Sequence, residues 1–213
     1  MRQKFNKHAT DAFFMEHGVI MTPQKIHIKE KAVLEIGSGK GKFITDFAND
    51  HPDTLCIAFE MNRHVAYYIV TKVVELNLKN VIIIIDDAER LDCYIDVHLL
   101  QKIFLNFSDP WPKKKHHKRR LSYPTKLNTY QTLLKHQGQI IIKTDHQAFY
   151  EDSLTYVQSL FNHVTCDENV ALEPYVSEYE LKKRPYGPIY KITIEVYHEN
   201  ISRNDGIRRH FRT

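Results

Sequence analysis

The stretch KAVLEIGSGKGKFITDFAND, residues 31 to 50, decides the fold class. It opens with KAVLEI (31–36), a short apolar run typical of a buried strand, and closes with FITDFAND (43–50), which suits a helix. Glycines between a strand and a helix let the backbone turn tightly and approach a ligand without a Cβ in the way. The stretch therefore predicts the first β-α unit of a parallel sheet. These residues alone are equally consistent with a turn that binds a ligand and with one that does not.

The remaining chain repeats this alternation of short β-branched runs and longer mixed segments, which predicts a doubly wound α/β sheet. Further strands are predicted at TLCIAFE (54–60), NVIIII (80–85), KIFLNF (102–107) and QIIIK (139–143), and YKITIEVY (190–197) alternates as an antiparallel edge strand would. Helices are predicted over 64–78, from a Ser122 cap through YPTKLNTYQTLLKH to a closing Gly138, and near 146–161.

The composition predicts one domain spanning all 213 residues, with a basic N-terminal arm (about 1–25) and a short basic C-terminal tail (about 200–213). The formal net charge is +4, yet 113–120 (KKKHHKRR) holds six Lys and Arg residues and no acid, so the basicity is local. Cys56, Cys93 and Cys166 lack metal-site or disulfide spacing, which predicts no metal and a cytoplasmic protein. No signal peptide or membrane span is predicted.

Doubly wound sheets bind ligands at the carboxyl ends of their strands, and acids follow several of the predicted strands. Glu35 precedes the glycine turn and could meet a cationic amine. Glu60 could accept both hydroxyls of a ribose, and Asp87 the amino group of an adenine. The simpler interpretation is that these acids are solvated side chains at strand ends and bind no ligand. Three acids in register oppose a pyrophosphate and favour a positively charged nucleoside such as S-adenosylmethionine.

A second stretch, NFSDPWPKKKHHKRRLSYP (106–124), follows the fourth strand. Asp109 would lie beside a methyl donor in that pocket, and the two prolines stiffen the loop around it. Trp111 could stack on a base or plug the sheet. The basic run 113–120 has no apolar residue, so it is either a solvated loop or the site of a phosphate-rich substrate.

NFSDPWPKKKHHKRRL closely resembles the signature of the tRNA (guanine-N(7)-)-methyltransferase family, class I enzymes that use S-adenosylmethionine. The resemblance continues through EIGSGKG (35–41), Glu60, DDA (86–88), KTDH (143–146) and SEYE (177–180). It implies a Rossmann-like seven-stranded, mostly parallel sheet with one antiparallel edge strand. It also implies methyl transfer to guanine N(7) in tRNA, at the variable-loop guanosine of tRNA position 46.

The resemblance further implies a role for each matching residue. The cofactor site would comprise Glu35, Gly37, Gly39, Gly41, Glu60, Asp87, Ala88 and Asp109, with Asp109 also catalytic. The target nucleotide would contact Lys113, Asp145, Ser177, Glu178, Tyr179 and Glu180. The RNA would contact Lys114, Lys115, His116, His117, Lys118, Arg119 and Arg120. The family usually has threonine where this chain has Ser177, and because the hydroxyl is kept we expect the role to survive.

Two alternatives remain open on the sequence. One is methylation of a different base, such as an exocyclic amine, although the tryptophan between the two prolines departs from the Asp/Asn-Pro-Pro-aromatic motif of such enzymes. The other is a non-catalytic RNA-binding protein on the same fold, against which the intact glycines and acids argue. The sequence does not choose between a monomer and a homodimer.

Overall fold

A computed structural model describes residues 5–29 and 31–198 of the chain. Its strands are β1 (Lys31–Ile36), β2 (Thr54–Phe59), β3 (Val81–Ile84), β4 (Leu100–Asn106), β5 (Leu134–Thr144), β6 (Val164–Asp167) and β7 (Tyr190–Val196). Its α-helices are α1 (Asp11–Glu16), α2 (Lys42–Asp50), α3 (Arg63–Glu75), α4 (Pro124–Leu133), α5 (Gln147–Leu160) and α6 (Glu178–Lys183). Three 3₁₀ helices cover Ala88–Cys93, Lys114–Arg119 and Arg184–Tyr186.

The seven strands form one sheet in the order β3-β2-β1-β4-β5-β7-β6. The first five in this order pair in parallel, and β7 pairs antiparallel with both β5 and β6. The predicted doubly wound, mostly parallel α/β fold is therefore confirmed. The chain moves outward from β1 to β3 and then returns to the other side of β1 with β4, which places the topological switch point between β1 and β4.

Two hydrophobic clusters cover the two faces of the sheet. Alternate residues of β1 show the division, because Leu34 and Ile36 belong to one cluster and Val33 to the other. Parallel strands buried on both faces carry near-continuous apolar sequence, as KAVLEI does. Glu35 is the exception within this run, and its burial at 2% exposure needs a separate explanation.

Three local expectations from the sequence are corrected by the structure. Ser122 does not cap α4, because its hydroxyl hydrogen-bonds the buried hydroxyl of Ser153 at 2.7 Å and Tyr123 occupies the N-cap position. Gly138 does not close that helix, because α4 passes at Leu134 directly into β5, and Gly138 lies within that strand. Strand β7 is antiparallel as predicted, but it is not at the edge, because β6 pairs along its outer side.

The described part of the N-terminal segment packs against the sheet. Helix α1 buries Phe14 completely, and Ile20 forms a parallel bridge with Ile84 of β3. The predicted C-terminal tail, about 200–213, lies outside the described residues. Residues 5–29 and 31–198 contain no helix long and apolar enough to cross a bilayer.

Candidate functional site

The turn between β1 and α2 has the backbone geometry that its glycines predict. Gly37, Gly39 and Gly41 have φ angles of 75°, 57° and 82°, in the left-handed region that favours glycine. The backbone amides of Gly37 and Ser38 donate to the carbonyl oxygen of Phe59 at 2.7 and 3.2 Å, which fixes the turn against the end of β2. The turn therefore lies at the carboxyl edge of the sheet, beside the switch point.

Glu60 connects this turn to the end of β2. Its Oε2 accepts a hydrogen bond from the Gly39 amide and its Oε1 one from the Asn62 amide, each at 2.9 Å. The side chain is buried, and burial raises the pKa of its carboxyl group, with the nearby negative charge of Asp109 acting in the same direction. Each carboxylate oxygen retains a second lone pair, so the group can still accept ligand hydroxyls.

Glu35 is the penultimate residue of β1, at the switch point, and is almost completely buried. Its Oε1 accepts a 2.8 Å hydrogen bond from Asn106 Nδ2, whereas its Oε2 has no partner within the described residues. Burial raises the pKa of the carboxyl group to about 8. A buried acid with one unpaired oxygen suits a positively charged ligand group, which would satisfy the oxygen and favour the ionised form.

Of the two neighbouring acids that follow β3, Asp87 is the one that remains exposed. Asp86 is already engaged, because its Oδ2 accepts from the Tyr94 hydroxyl at 2.5 Å and pairs with Arg90 at 3.1 Å. Asp87 caps the 3₁₀ helix Ala88–Cys93 by accepting from the Glu89 amide at 2.9 Å. Its carboxylate therefore keeps acceptor capacity toward solvent or a ligand, and Ala88 packs beside it against the core.

Asp109 lies on a loop with unusual backbone geometry. Phe107 and Trp111, two residues to either side, have φ angles of 54° and 38°, which cost of order 1–3 kcal/mol each for residues with a Cβ. Asp109 itself is exposed. Arg120 holds the loop, because its guanidinium donates to the carbonyl oxygens of Pro110 and Trp111 at 2.7 and 3.4 Å.

The basic run forms a 3₁₀ helix beside this loop, and its members differ in exposure. Lys113 to Lys115, Lys118 and Arg119 are exposed, and His116 and His117 are half-buried. Arg120, which the sequence assigns to RNA contact, is 2% exposed and pairs with Asp152 of α5 at 2.7 Å. The position of the guanidinium does not support RNA contact at Arg120, because the group is engaged inside the protein and almost fully buried.

Four of the predicted target-side residues lie together at the start of α6. Ser177 caps the helix by accepting from the Glu180 amide at 3.0 Å. The Tyr179 ring is 5.2 Å from that of Phe107, and its hydroxyl donates to Asp145 Oδ2 at 3.4 Å. Contact therefore runs from the Asp109 loop through Tyr179 to the end of β5.

The two glutamates of this group have different surroundings. Glu178 pairs with Lys72 at 2.7 Å, and this hydrogen bond holds the pKa of Glu178 below its usual range. Glu180 is 1% exposed, with Lys143 at 3.3 Å and Arg184 at 2.5 Å. The structure therefore does not indicate direct contact between Glu180 and a nucleotide, because both carboxylate oxygens of Glu180 are paired inside the protein.

The carboxyl edge of the sheet collects the predicted acids in a single row. Strand order places them along this edge as Asp87, Glu60, Glu35, Asp109 and Asp145. Sequence reasoning missed Asn106, which pairs with Glu35 across the switch point. Its signal was an amide directly after the apolar residues 103–105 (IFL). Within residues 5–29 and 31–198, no three His, Cys, Asp or Glu side chains are grouped so as to hold a metal.

Comparison with known proteins gives a consistent result. Residues 29–188 match the model of a family described as "Putative methyltransferase". The tRNA (guanine-N(7)-)-methyltransferase of Lactiplantibacillus plantarum is 39% identical over 165 residues, covering 75% of this chain and 77% of that protein. The enzyme of the same name from Limosilactobacillus reuteri is 43% identical over 169 residues, covering 75% and 78%.

Solved structures support the fold. The crystal structure of an rRNA methylase from Streptococcus thermophilus superposes with a TM-score of 0.56 at 16% identity. The match covers 93% of this chain and 99% of that one. At this level of identity the likeness concerns the Rossmann-like methyltransferase fold alone.

Proposed function

The chain belongs to the tRNA (guanine-N(7)-)-methyltransferase family, and on that premise we propose that it methylates N(7) of the variable-loop guanosine of tRNA. The methyl donor is S-adenosylmethionine, which supplies an electrophilic methyl group on a sulfonium. We further propose that the chain acts as one methyltransferase domain in the cytoplasm. Its three free cysteines, of which Cys93 and Cys166 are exposed, suit a reducing compartment.

The observation that carries the proposal is the row of acids along one sheet edge, with Glu35 at its centre. The unpaired Oε2 of Glu35 suits the ammonium of the donor, and Glu60, fixed between Gly39 and Asn62, suits its ribose. Asp87 is exposed at the β3 end of the row, where it would accept from the adenine amino group. These residues fit a cationic nucleoside and disfavour a nucleotide with a pyrophosphate.

The target side of the row suits guanine. Guanine N(7) carries a lone pair and no proton, so its methylation requires no general base. Asp145 and Glu178 offer carboxylate acceptors for the two donors on the Watson–Crick edge of guanine. Adenine would present an acceptor there, opposite a half-buried carboxylate that cannot donate to it, which disfavours adenine. Asp109 would stabilise the positive charge that develops on the purine.

The exposed cations of the basic run support a polynucleotide as the substrate. Lys114, Lys115 and Lys118 extend from a 3₁₀ helix that buries no residue, and Arg119 stacks 5.0 Å from the Trp111 ring centroid. They lie next to the Asp109 loop, so a phosphate backbone held there would bring a nearby base to the acids.

The test is methylation of an unmodified tRNA transcript with labelled donor, followed by nucleoside analysis. We expect 7-methylguanosine as the product, and none from a transcript whose variable-loop guanosine is replaced by adenosine. Product from that second transcript would contradict the assigned position. Methylation of adenosine instead of guanosine would contradict the assigned base. A transcript with a different guanosine replaced serves as the control.

A further inference from the structure

Three buried side-chain atoms in the described part of the chain have no hydrogen-bond partner: Glu35 Oε2, Ser108 Oγ and Tyr130 OH. Buried polar atoms are nearly always paired, so each exception needs a cause. All three lie near the row of acids. Glu35 is the penultimate residue of β1, and Ser108 precedes Asp109. Burial raises the pKa of the Tyr130 hydroxyl, and the nearby negative charge of Asp87 acts in the same direction.

Glu35 is the most informative of the three, because the geometry separates its two oxygens. Asn106, at the end of β4, is 9% exposed and donates its Nδ2 to Oε1 at 2.8 Å. This bond across the switch point fixes the orientation of the carboxyl group. Oε1 is thereby engaged inside the protein, and Oε2 is left for a ligand.

The surroundings of Glu35 disfavour its ionised form. Glu35 faces the carboxyl group of Glu60, which follows β2, and the thiol of Cys56 within β2. Burial raises the pKa of the Cys56 thiol to about 12, and the charge of Glu35 acts in the same direction. From the glycine turn, Ser38 donates its hydroxyl to the Glu35 carbonyl oxygen at 2.9 Å. Hydrogen bonding by the Asn106 and Ser38 side chains favours the ionised form, but burial outweighs both and raises the pKa of Glu35 to about 8. At neutral pH the ligand-free protein therefore keeps a proton on Glu35.

We propose that Asn106 is a positioning residue for the cofactor's ammonium group and that Glu35 releases one proton to solvent when this ammonium binds at Oε2. The O–H bond of the carboxylic acid breaks, its proton passes to the buffer, and the ammonium keeps its three N–H bonds. Cofactor binding is thus coupled to pH. The inference rests on the proposed function, since it takes the ligand to be an amino-acid-bearing nucleoside.

The test is isothermal titration of the full chain with S-adenosylhomocysteine in buffers of different ionisation enthalpy. This ligand keeps the ammonium and lacks the sulfonium, so it reports on the ammonium alone. We expect close to one proton released at about pH 6 and about half a proton near pH 8, the pKa of Glu35. In this range the affinity should rise by up to about tenfold per pH unit.

A second ligand separates the proton released by Glu35 from any proton released by Glu60, whose pKa is also raised. Methylthioadenosine carries the same adenine and ribose but no ammonium, so any proton that Glu60 loses on ribose binding appears with both ligands. We expect the difference in proton release between the two ligands to vanish in Glu35→Gln. It should persist in Glu151→Gln, which alters an exposed carboxylate on α5.

Asn106→Ala distinguishes a positioning role from a merely structural one through the pH midpoint of proton release, which a merely structural role would leave unchanged. Removal of its hydrogen bond should raise the pKa of Glu35 further, so the midpoint of proton release should move to higher pH. Binding of S-adenosylhomocysteine with no proton release, or an unmoved midpoint in a folded Asn106→Ala protein, would overturn the inference and leave the proposed function intact. Absence of any binding of either ligand would count against the proposed function itself.

Discussion

Arg120 Nε donates a 2.7 Å hydrogen bond to the carbonyl oxygen of Pro110, from within a run of otherwise more exposed cations. The same guanidinium pairs with Asp152 of α5, so it connects the Asp109 loop to the body of the protein. We expect Arg120→Ala to lower the free energy of unfolding by roughly 1.5–3 kcal/mol, as for removal of hydrogen bonds to a charged group. Urea denaturation measures this change.

Lys118→Ala is the matched control, because it removes one cation from the same run at an exposed position. We expect it to leave the unfolding free energy within about 0.5 kcal/mol of the unmodified protein. Equal stability of the two variants would show that Arg120 does not anchor the loop.

The role of Arg120 is also one that the sequence alone does not predict. Its neighbours in the run predict a solvated cation, and only the fold brings Asp152 of α5 to it. Strand β6 was missed for a related reason, since VTCD is short and largely exposed and lacks an apolar alternation. By contrast, β1 to β5 were predicted because their burial on both faces leaves continuous apolar runs. The row of acids follows from those strand ends, whereas the pairing of Glu180 with Lys143 of β5 depends on a tertiary contact.

The exposed part of the basic run should determine the salt dependence of tRNA binding. We expect replacement of Lys114, Lys115 and Lys118 by alanine to flatten the slope of log affinity against log salt by up to about 0.7–0.9 for each phosphate that is no longer neutralised. Filter binding over a salt series measures the slope. The control replaces Lys31, Lys79 and Lys102, which are exposed and lie toward the opposite, amino-terminal edge of the sheet. It changes the net charge equally, so equal slopes in the two variants would exclude a local contact.

The glycine turn allows the cost of backbone conformation to be separated from the cost of crowding. At Gly39 a Cβ would meet nothing within 4 Å, so Gly39→Ala should cost only the left-handed strain, about 1–2 kcal/mol. At Gly41 a Cβ would lie 3.0 Å from Ile69 Cγ2 and 3.2 Å from its Cα. We expect Gly41→Ala to be the more destabilising of the two by thermal denaturation. The reverse order would mean that α3 yields to the added methyl group.

Glu35 should make the stability of the ligand-free protein fall as the pH rises. Burial raises its pKa from 4.5 to about 8, so between these values the folded state holds a proton that the unfolded chain has released. The stability contribution is therefore complete below about pH 4.5 and is lost as the pH approaches 8. Relative to Glu35→Gln, the unmodified protein should lose at most about 1.4 kcal/mol per pH unit across this range. Urea denaturation at several pH values tests this, and parallel profiles for the two proteins would contradict it.

Asp109 should affect catalysis more than RNA binding, because it is exposed beside Glu60 and lies outside the basic run. We expect Asp109→Asn to lower kcat by roughly 100- to 1000-fold, comparable with the removal of one electrostatic interaction with a transition state. Retention of tRNA on a filter should be unchanged, since the variant keeps every cation of the run. Asparagine preserves the shape of the side chain, removes its charge and replaces one acceptor oxygen by an NH₂ donor. A normal kcat would therefore mean that the developing charge on the purine is stabilised elsewhere. A fall in tRNA retention together with kcat would instead indicate that the loop between Phe107 and Trp111 had changed its conformation.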